Sequence, residues 1–139
     1  MFRTGDPERF DSRLWKSQHL SAQNRQLTPL YVERYSGARK NRKVYPHSFW
    51  EFTVVMNGKG TILAGDSKID VETGMVALLP PGCSHCEDAD ELDTIWIGFA
   101  GSMINPPKDS SKALVVSNLQ LAKMAERLWL FSERRFGEI

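Results

Sequence analysis

Residues 47–58 read HSFWEFTVVMNG, and the reading of this stretch decides the fold. Side chains alternate faces along a β-strand. Tyr45, His47, Phe49, Glu51, Thr53 and Val55 therefore share one face of a continuous strand, while Trp50, Phe52, Val54 and Met56 take the other. Both faces are largely apolar, so the strand is expected to be covered on both sides. A tyrosine, a histidine and a glutamate on one such face point to an enclosed polar site.

Working outward, the neighbouring segments also read as short strands. Leu30 to Tyr35 is one, and Asn57-Gly58 is the strongest short hairpin signal in the chain. Thr61 to Ala64 and Ser67 to Val71 flank Gly65-Asp66. Met75 to Leu79 ends at Pro80-Pro81-Gly82, and Thr94 to Phe99 is the last strand. Closely spaced short strands with turn signals between them predict a mainly β fold, a sandwich or barrel, over 28–101.

Residues 1–27 are polar and form an N-terminal segment. Asp6-Pro7-Glu8 suggests a short helix there, with Phe10, Leu14 and Trp15 as its apolar stripe. Residues 102–116 read as a linker. From 117 the pattern turns helical and runs to about 135, within a C-terminal unit 117–139. Ser117 or Asn118 can cap it. Leu121, Met124, Leu128 and Phe131 recur at steps of three, four and three, an a/d-type seam. Two uses compete: the helix lies on its own barrel, or the seam pairs with a second chain. Trp129 and Leu130 add apolar surface off the seam, so both uses are open, and a homodimer is expected.

Composition narrows the function. The chain has 139 residues, 41% hydrophobic and 25% charged, with a net charge of +1. That is one ordinary globular domain and not a strongly basic nucleic-acid module. No apolar run approaches the ~18 residues of a membrane span, and the first residues lack the apolar core of a signal peptide. A disulfide between Cys83 and Cys86 would close a very small loop, so free thiols in a reducing, cytoplasmic setting are expected. Cys83-Ser84-His85-Cys86 offers no complete structural zinc set, because there is no second cysteine pair. The run Arg39-Lys40-Asn41-Arg42-Lys43 reads as a solvated loop, facing an acidic loop from Glu87 to Glu91. There is no nucleophile elbow and no phosphate-cradling glycine loop.

Two spacings carry the family resemblance. His47, Glu51 and Gly58 are separated by three and six residues. Residues 74–85, GMVALLPPGCSH, place Gly74, Pro80, Gly82 and His85 at intervals of five, one and two residues. Together the stretches resemble the two cupin motifs, which implies a small β-barrel whose His and Glu side chains converge inside. The match departs at Tyr45, where the first motif has another histidine, and at Ala89, where the second has a polar residue. His47, Glu51 and His85 remain a legitimate ligand set for zinc, iron or manganese. A metal-free polar interior is the preferred reading, so no cofactor is expected.

Residues 94–102, TIWIGFAGS, resemble the strand that closes the sensor domain of AraC-type transcription regulators. The order of features over about 28–135 is similar to that family throughout. The resemblance implies a cupin-like barrel with a C-terminal helix, acting as the small-molecule-sensing and dimerising half of a regulator. DNA would be bound only through helix-turn-helix units absent from this chain, as expected of a regulator cut between its halves. A free-standing sensor is the alternative, and a small metal-dependent cupin oxygenase or isomerase is the competing class. A sugar or polyol effector would be held by Arg34, Tyr45, His47, Phe49, Glu51, His85 and Trp96. Glu51 would be balanced by a ligand hydroxyl, a histidine or Arg34. Leu121, Met124, Leu128 and Phe131 would form the dimer interface.

Overall fold

The computed structural model describes residues 27–40, 46–101 and 113–137, with side chains as far as Glu133. The proposed helix in 1–27, Tyr45, and Asn41, Arg42 and Lys43 of the basic run lie outside them. The order is β1 (Thr28–Arg39), β2 (Trp50–Ala64), β3 (Ser67–Glu72), β4 (Met75–Leu79), β5 (His85–Ala100), β6 (Leu114–Ser117) and α1 (Leu119–Gly137). The strands form one antiparallel sheet in the order β1-β5-β2-β4-β6, with β3 on β2. The mainly β architecture with one C-terminal helix is as expected.

Three local readings are corrected. Asn57-Gly58 is not a hairpin. β2 runs straight through it, and the pairing with β5 shifts register between Val55 and Asn57 and again between Gly58 and Thr61. These irregularities bend the long strands. Gly58 has φ +108°, and a Cβ there would lie 2.8 Å from the Glu91 carbonyl oxygen. The chain reverses instead at Gly65, φ +58°. Next, the acidic run Glu87 to Glu91 is no loop but part of β5, which starts at His85. Finally, the linker 102–116 contains most of β6, which pairs with β4.

The sheet has two distinct faces, and directly opposed residues identify them. Tyr31 opposes Gly98, Glu51 opposes Gly98 and Leu79, and Thr53 opposes Trp96 and Ala77. This inward face is continuous with an apolar core that includes Val55, Ile62, Leu79, Cys83 and Leu92. On the other face Val54, Val76 and Ile95 are covered by Ala122, Ala125 and Trp129 of α1. Asn118 caps that helix, its Oδ1 accepting from the Leu121 amide at 3.1 Å.

The helix therefore packs on its own sheet through a different stripe from the seam read in the sequence. The seam itself points outward. Met124 and Phe131 are each 61% exposed, and Leu121 and Leu128 are 40% and 44% exposed. The two stripes lie one residue apart, about 100° around the helix. Ala122, Ala125 and Trp129 face the sheet, and the seam side chains remain outside.

Candidate functional site

Glu51 lies on the inward face of β2 and is 5% exposed. A buried carboxylate needs partners. It accepts a hydrogen bond from the Tyr31 hydroxyl on β1. Nε2 of His85, at the start of β5, lies 3.4 Å from its Oε1. Nε2 of His47, from the segment before β2, lies 3.8 Å from its Oε2. The two motif segments are joined by their backbones as well, since the Gly82 amide donates to the His47 carbonyl at 2.8 Å.

Both imidazoles are oriented by their other nitrogen. His47 Nδ1–H donates to the Phe49 carbonyl at 2.8 Å, and His85 Nδ1–H donates to the Cys83 carbonyl at 2.9 Å. That arrangement aims both Nε2 atoms at Glu51. Phe49 stacks on His47 with centroids 4.1 Å apart and meets Tyr31 edge-on at 5.7 Å. His47 Nε2 is buried and makes no hydrogen bond.

The charges follow from these contacts. Burial disfavours the Glu51 carboxylate, but the His85 hydrogen bond and charge, with His47 and Tyr31, outweigh it. Its pKa is held below the ordinary value. Burial also disfavours protonated His85, yet Glu51 holds its pKa above the ordinary value. His47 is pushed down by burial, against the attraction of Glu51 and with repulsion from His85. Burial and the adjacent carboxylates push the Tyr31 phenol upward, so it remains a donor. The cluster thus contains a carboxylate, a readily protonated imidazole, a neutral imidazole and a phenol.

A second inward cluster lies further along β1 and β5. Arg39 is 8% exposed. Its Nε donates to Glu87 at 2.8 Å and Nη1 to the Gly37 carbonyl at 2.7 Å. Nη2 donates to the Tyr35 carbonyl at 3.0 Å and to Thr94 Oγ1 at 2.8 Å. The other Glu87 oxygen accepts from Trp96 Nε1–H at 2.9 Å. Tyr35 stacks on Trp96, and the guanidinium lies over both rings.

The structure thus brings together His47, Phe49, Glu51 and His85. Trp96 faces inward in the neighbouring cluster. Arg34 does not join either one, which corrects its assignment to Glu51 or to an interior ligand. It opposes Ile95 on the outward face, because an odd step of three positions along the strand takes it to the side opposite inward-facing Tyr31. Arg39, read as part of a solvated loop, is buried in β1.

Tyr31 was missed altogether. Gly98 held a clue, since glycine within a strand often marks a close approach. A Cβ there would lie 2.2 Å from the Tyr31 ring. The glycine in the Trp96–Gly101 stretch is the seat on which that ring rests.

Ligand atoms from His47, Glu51 and His85 lie within 4.8 Å of one another. Two imidazole Nε2 atoms and a carboxylate, one Nε2 without another partner, fit a zinc, iron or manganese ion. His85 would have to give up its proton to coordinate.

The fold is that of a cupin-like protein. Residues 30–138 match the model of the AraC-like ligand binding domain. The chain belongs to that family. Among solved structures it is similar to the protein YhaK from Escherichia coli, with a TM-score of 0.54 and 13% identity. The match covers 78% of this chain and 47% of that one, so the chain spans about half of YhaK. It is also similar to a DUF861 family protein from Thermotoga maritima, with a TM-score of 0.34 and 16% identity, covering 68% and 92% of the two chains. A comparison with curated sequences gives no match. Among the described residues no helix is long and apolar enough to cross a membrane.

Proposed function

We propose that this domain senses a small polyhydroxylated molecule, a sugar or polyol, for a cytoplasmic transcription regulator. The observation that carries the reading is the Glu51 cluster. It offers an acceptor carboxylate, donors at Tyr31 and His85, and spare hydrogen-bonding capacity at His47 Nε2. Sugar hydroxyls both donate and accept, so they suit such a mixed set. The aromatic faces of Phe49 and Tyr31 complete the surroundings.

Sensing would be coupled to a homodimer through the exposed Leu121–Met124–Leu128–Phe131 seam. Any DNA contact would be made by a separate helix-turn-helix domain. An effector that favours one arrangement of barrel and helix over another would bias that domain.

A thermal-shift series with monosaccharides and polyols tests the proposal. A ligand at 100 times its Kd stabilises by about 2.7 kcal/mol. For a domain of this size that raises Tm by several degrees, on the order of 5–10 °C. Glu51→Gln abolishes the rise. Sedimentation tests the dimer, and Leu128→Glu is expected to give a monomer.

His47 Nε2 favours a second reading, a metal-dependent cupin enzyme, since coordination would give that buried nitrogen its partner. A bound divalent ion would supply Lewis acidity beside Tyr31. Stoichiometric metal lost on His47→Ala, with no sugar response, would displace the sensor reading.

A further inference from the structure

The two sides of β1 serve different parts of the molecule. Its inward side carries Tyr31, bonded to Glu51. Three residues on, its outward side carries Arg34. Nε and Nη2 of Arg34 donate to both carboxylate oxygens of Asp93 on β5, at 3.0 and 2.8 Å. Nη1 reaches Glu126 on α1 at 3.1 Å, and the guanidinium lies 4.9 Å from the Trp129 ring centroid. One side chain therefore touches β1's neighbour in the sheet and two residues of the helix.

The Tyr31 ring cannot swing freely in place. It rests against Gly98 on β5, where a Cβ would lie within 2.2 Å, and Phe49 meets it edge-on. A ligand hydroxyl that takes the Tyr31 position on Glu51 must displace that ring. With the β5 backbone beneath it, the displacement is transmitted to β1 itself. The Arg34–Asp93 fork spans the same two strands nearby. Forked, charge-assisted hydrogen bonds are directional. The contacts of Ala122, Ala125 and Trp129 with Val54, Val76 and Ile95 are apolar packing and lack that directionality.

We propose that Arg34 is a latch between the effector site and α1: it fastens the helix to the strand that carries Tyr31, so that displacing Tyr31 from Glu51 loosens the helix. Arg34 is a positioning residue here, not a ligand-binding one. The inference rests on the sensing reading and adds the route by which occupancy reaches the outward helix seam. Reciprocity follows, because perturbing the helix end of the latch must be felt at Tyr31.

Amide hydrogen exchange on the full chain tests this with no effector present. Tyr31→Phe removes the hydroxyl and with it the bond that ties β1 to Glu51. It is expected to speed exchange of the α1 amides from Ala122 to Trp129 about fivefold or more, the lower end of usual site-to-site coupling. In the Glu126→Gln background, where the helix end of the latch is already weakened, the same change adds less than twofold to α1 while still loosening β1. An equal effect of Tyr31→Phe on α1 in both backgrounds, or none in either, overturns the latch. Glu126→Gln alone is the second arm and stands even if Tyr31→Phe does not fold, because Glu126 lies at the surface. The latch requires faster exchange at Val32 and Glu33 on β1, whereas a purely local helix contact loosens α1 alone. Failure here removes the latch and leaves the sensing reading intact. Failure of every sugar to stabilise the protein removes the sensing reading and with it the latch's role, whatever the exchange rates show.

Discussion

The Glu51 and Arg39 clusters share one inward face, and both hold buried charges. They differ in spare capacity. Every nitrogen of Arg39 has an acceptor, and both Glu87 oxygens have donors. In the Glu51 cluster His47 Nε2 makes no hydrogen bond, and the imidazole contacts with the carboxylate are long, at 3.4 and 3.8 Å. Charge and burial are common to both regions. Hydrogen-bonding capacity left over is what separates a site built to receive something from a network built to hold strands together.

If that distinction is right, the largest stability effect falls on the satisfied network. Arg39→Met leaves Glu87 buried without its charge partner. It is expected to cost about 3–5 kcal/mol in urea unfolding, with the sugar response retained wherever the fold survives. A loss under 1 kcal/mol would show that Arg39 is dispensable and remove the contrast.

The pH dependence of the Glu51–His85 pair gives an intermediate effect. Glu51 has a lowered pKa, so its stabilisation is present above the unfolded value near 4.5 and lost as the pH falls through the folded one. His85 has a raised pKa, so its stabilisation is complete below the unfolded value near 6.5 and lost as the pH rises through the folded one. His47 acts oppositely: with its pKa lowered, it costs stability once the unfolded chain takes up a proton below about 6.5. The stability gap between the wild type and His85→Gln, measured by urea midpoints, is therefore greatest at about pH 5–6 and narrows above neutrality. About 1–3 kcal/mol is expected at its widest.

The smallest stability effect belongs to His47. Replacing it with glutamine is expected to change stability by only about 1 kcal/mol, since the Nδ1 bond to the Phe49 carbonyl is at stake but Nε2 has no hydrogen bond to lose. The response to polyol or divalent metal, followed by thermal shift, should nevertheless disappear. A large destabilisation would mean that His47 belongs to the scaffold, as Arg39 does.

How much of this was visible beforehand differs residue by residue. The convergence of His47, Glu51 and His85 was readable, because the intervals between them carried a recognisable pattern. Trp96 could not be assigned a face from alternation along its own strand. Its opposition to Thr53 decides the matter. Arg39 was misread because a run of basic residues resembles a solvated loop. The pairing of its run with the acidic run from Glu87 was readable as charge complementarity, but the burial of Arg39 against Glu87, 48 residues away, was not. Tyr31 depends on a register shift between Pro29 and Tyr31 that brings it opposite Gly98. Asn57-Gly58 shows the converse, since a good local turn signal was absorbed as an irregularity within a long paired strand.

Local order along the chain was enough to establish most of the strands, the helix, the two motif spacings and the apolar seam, but not β6 or the first half of β5. Those features depend on the 2.0- and 3.6-residue periods and on turn chemistry, which act over a few residues. The tertiary structure alone decided which side chains meet Glu51, which arginine is interior, and which stripe of α1 stays uncovered. Those outcomes depend on cross-strand register and on what packs over each face. One residue of slip moves a side chain to the opposite surface, and only contacts between distant segments prevent it.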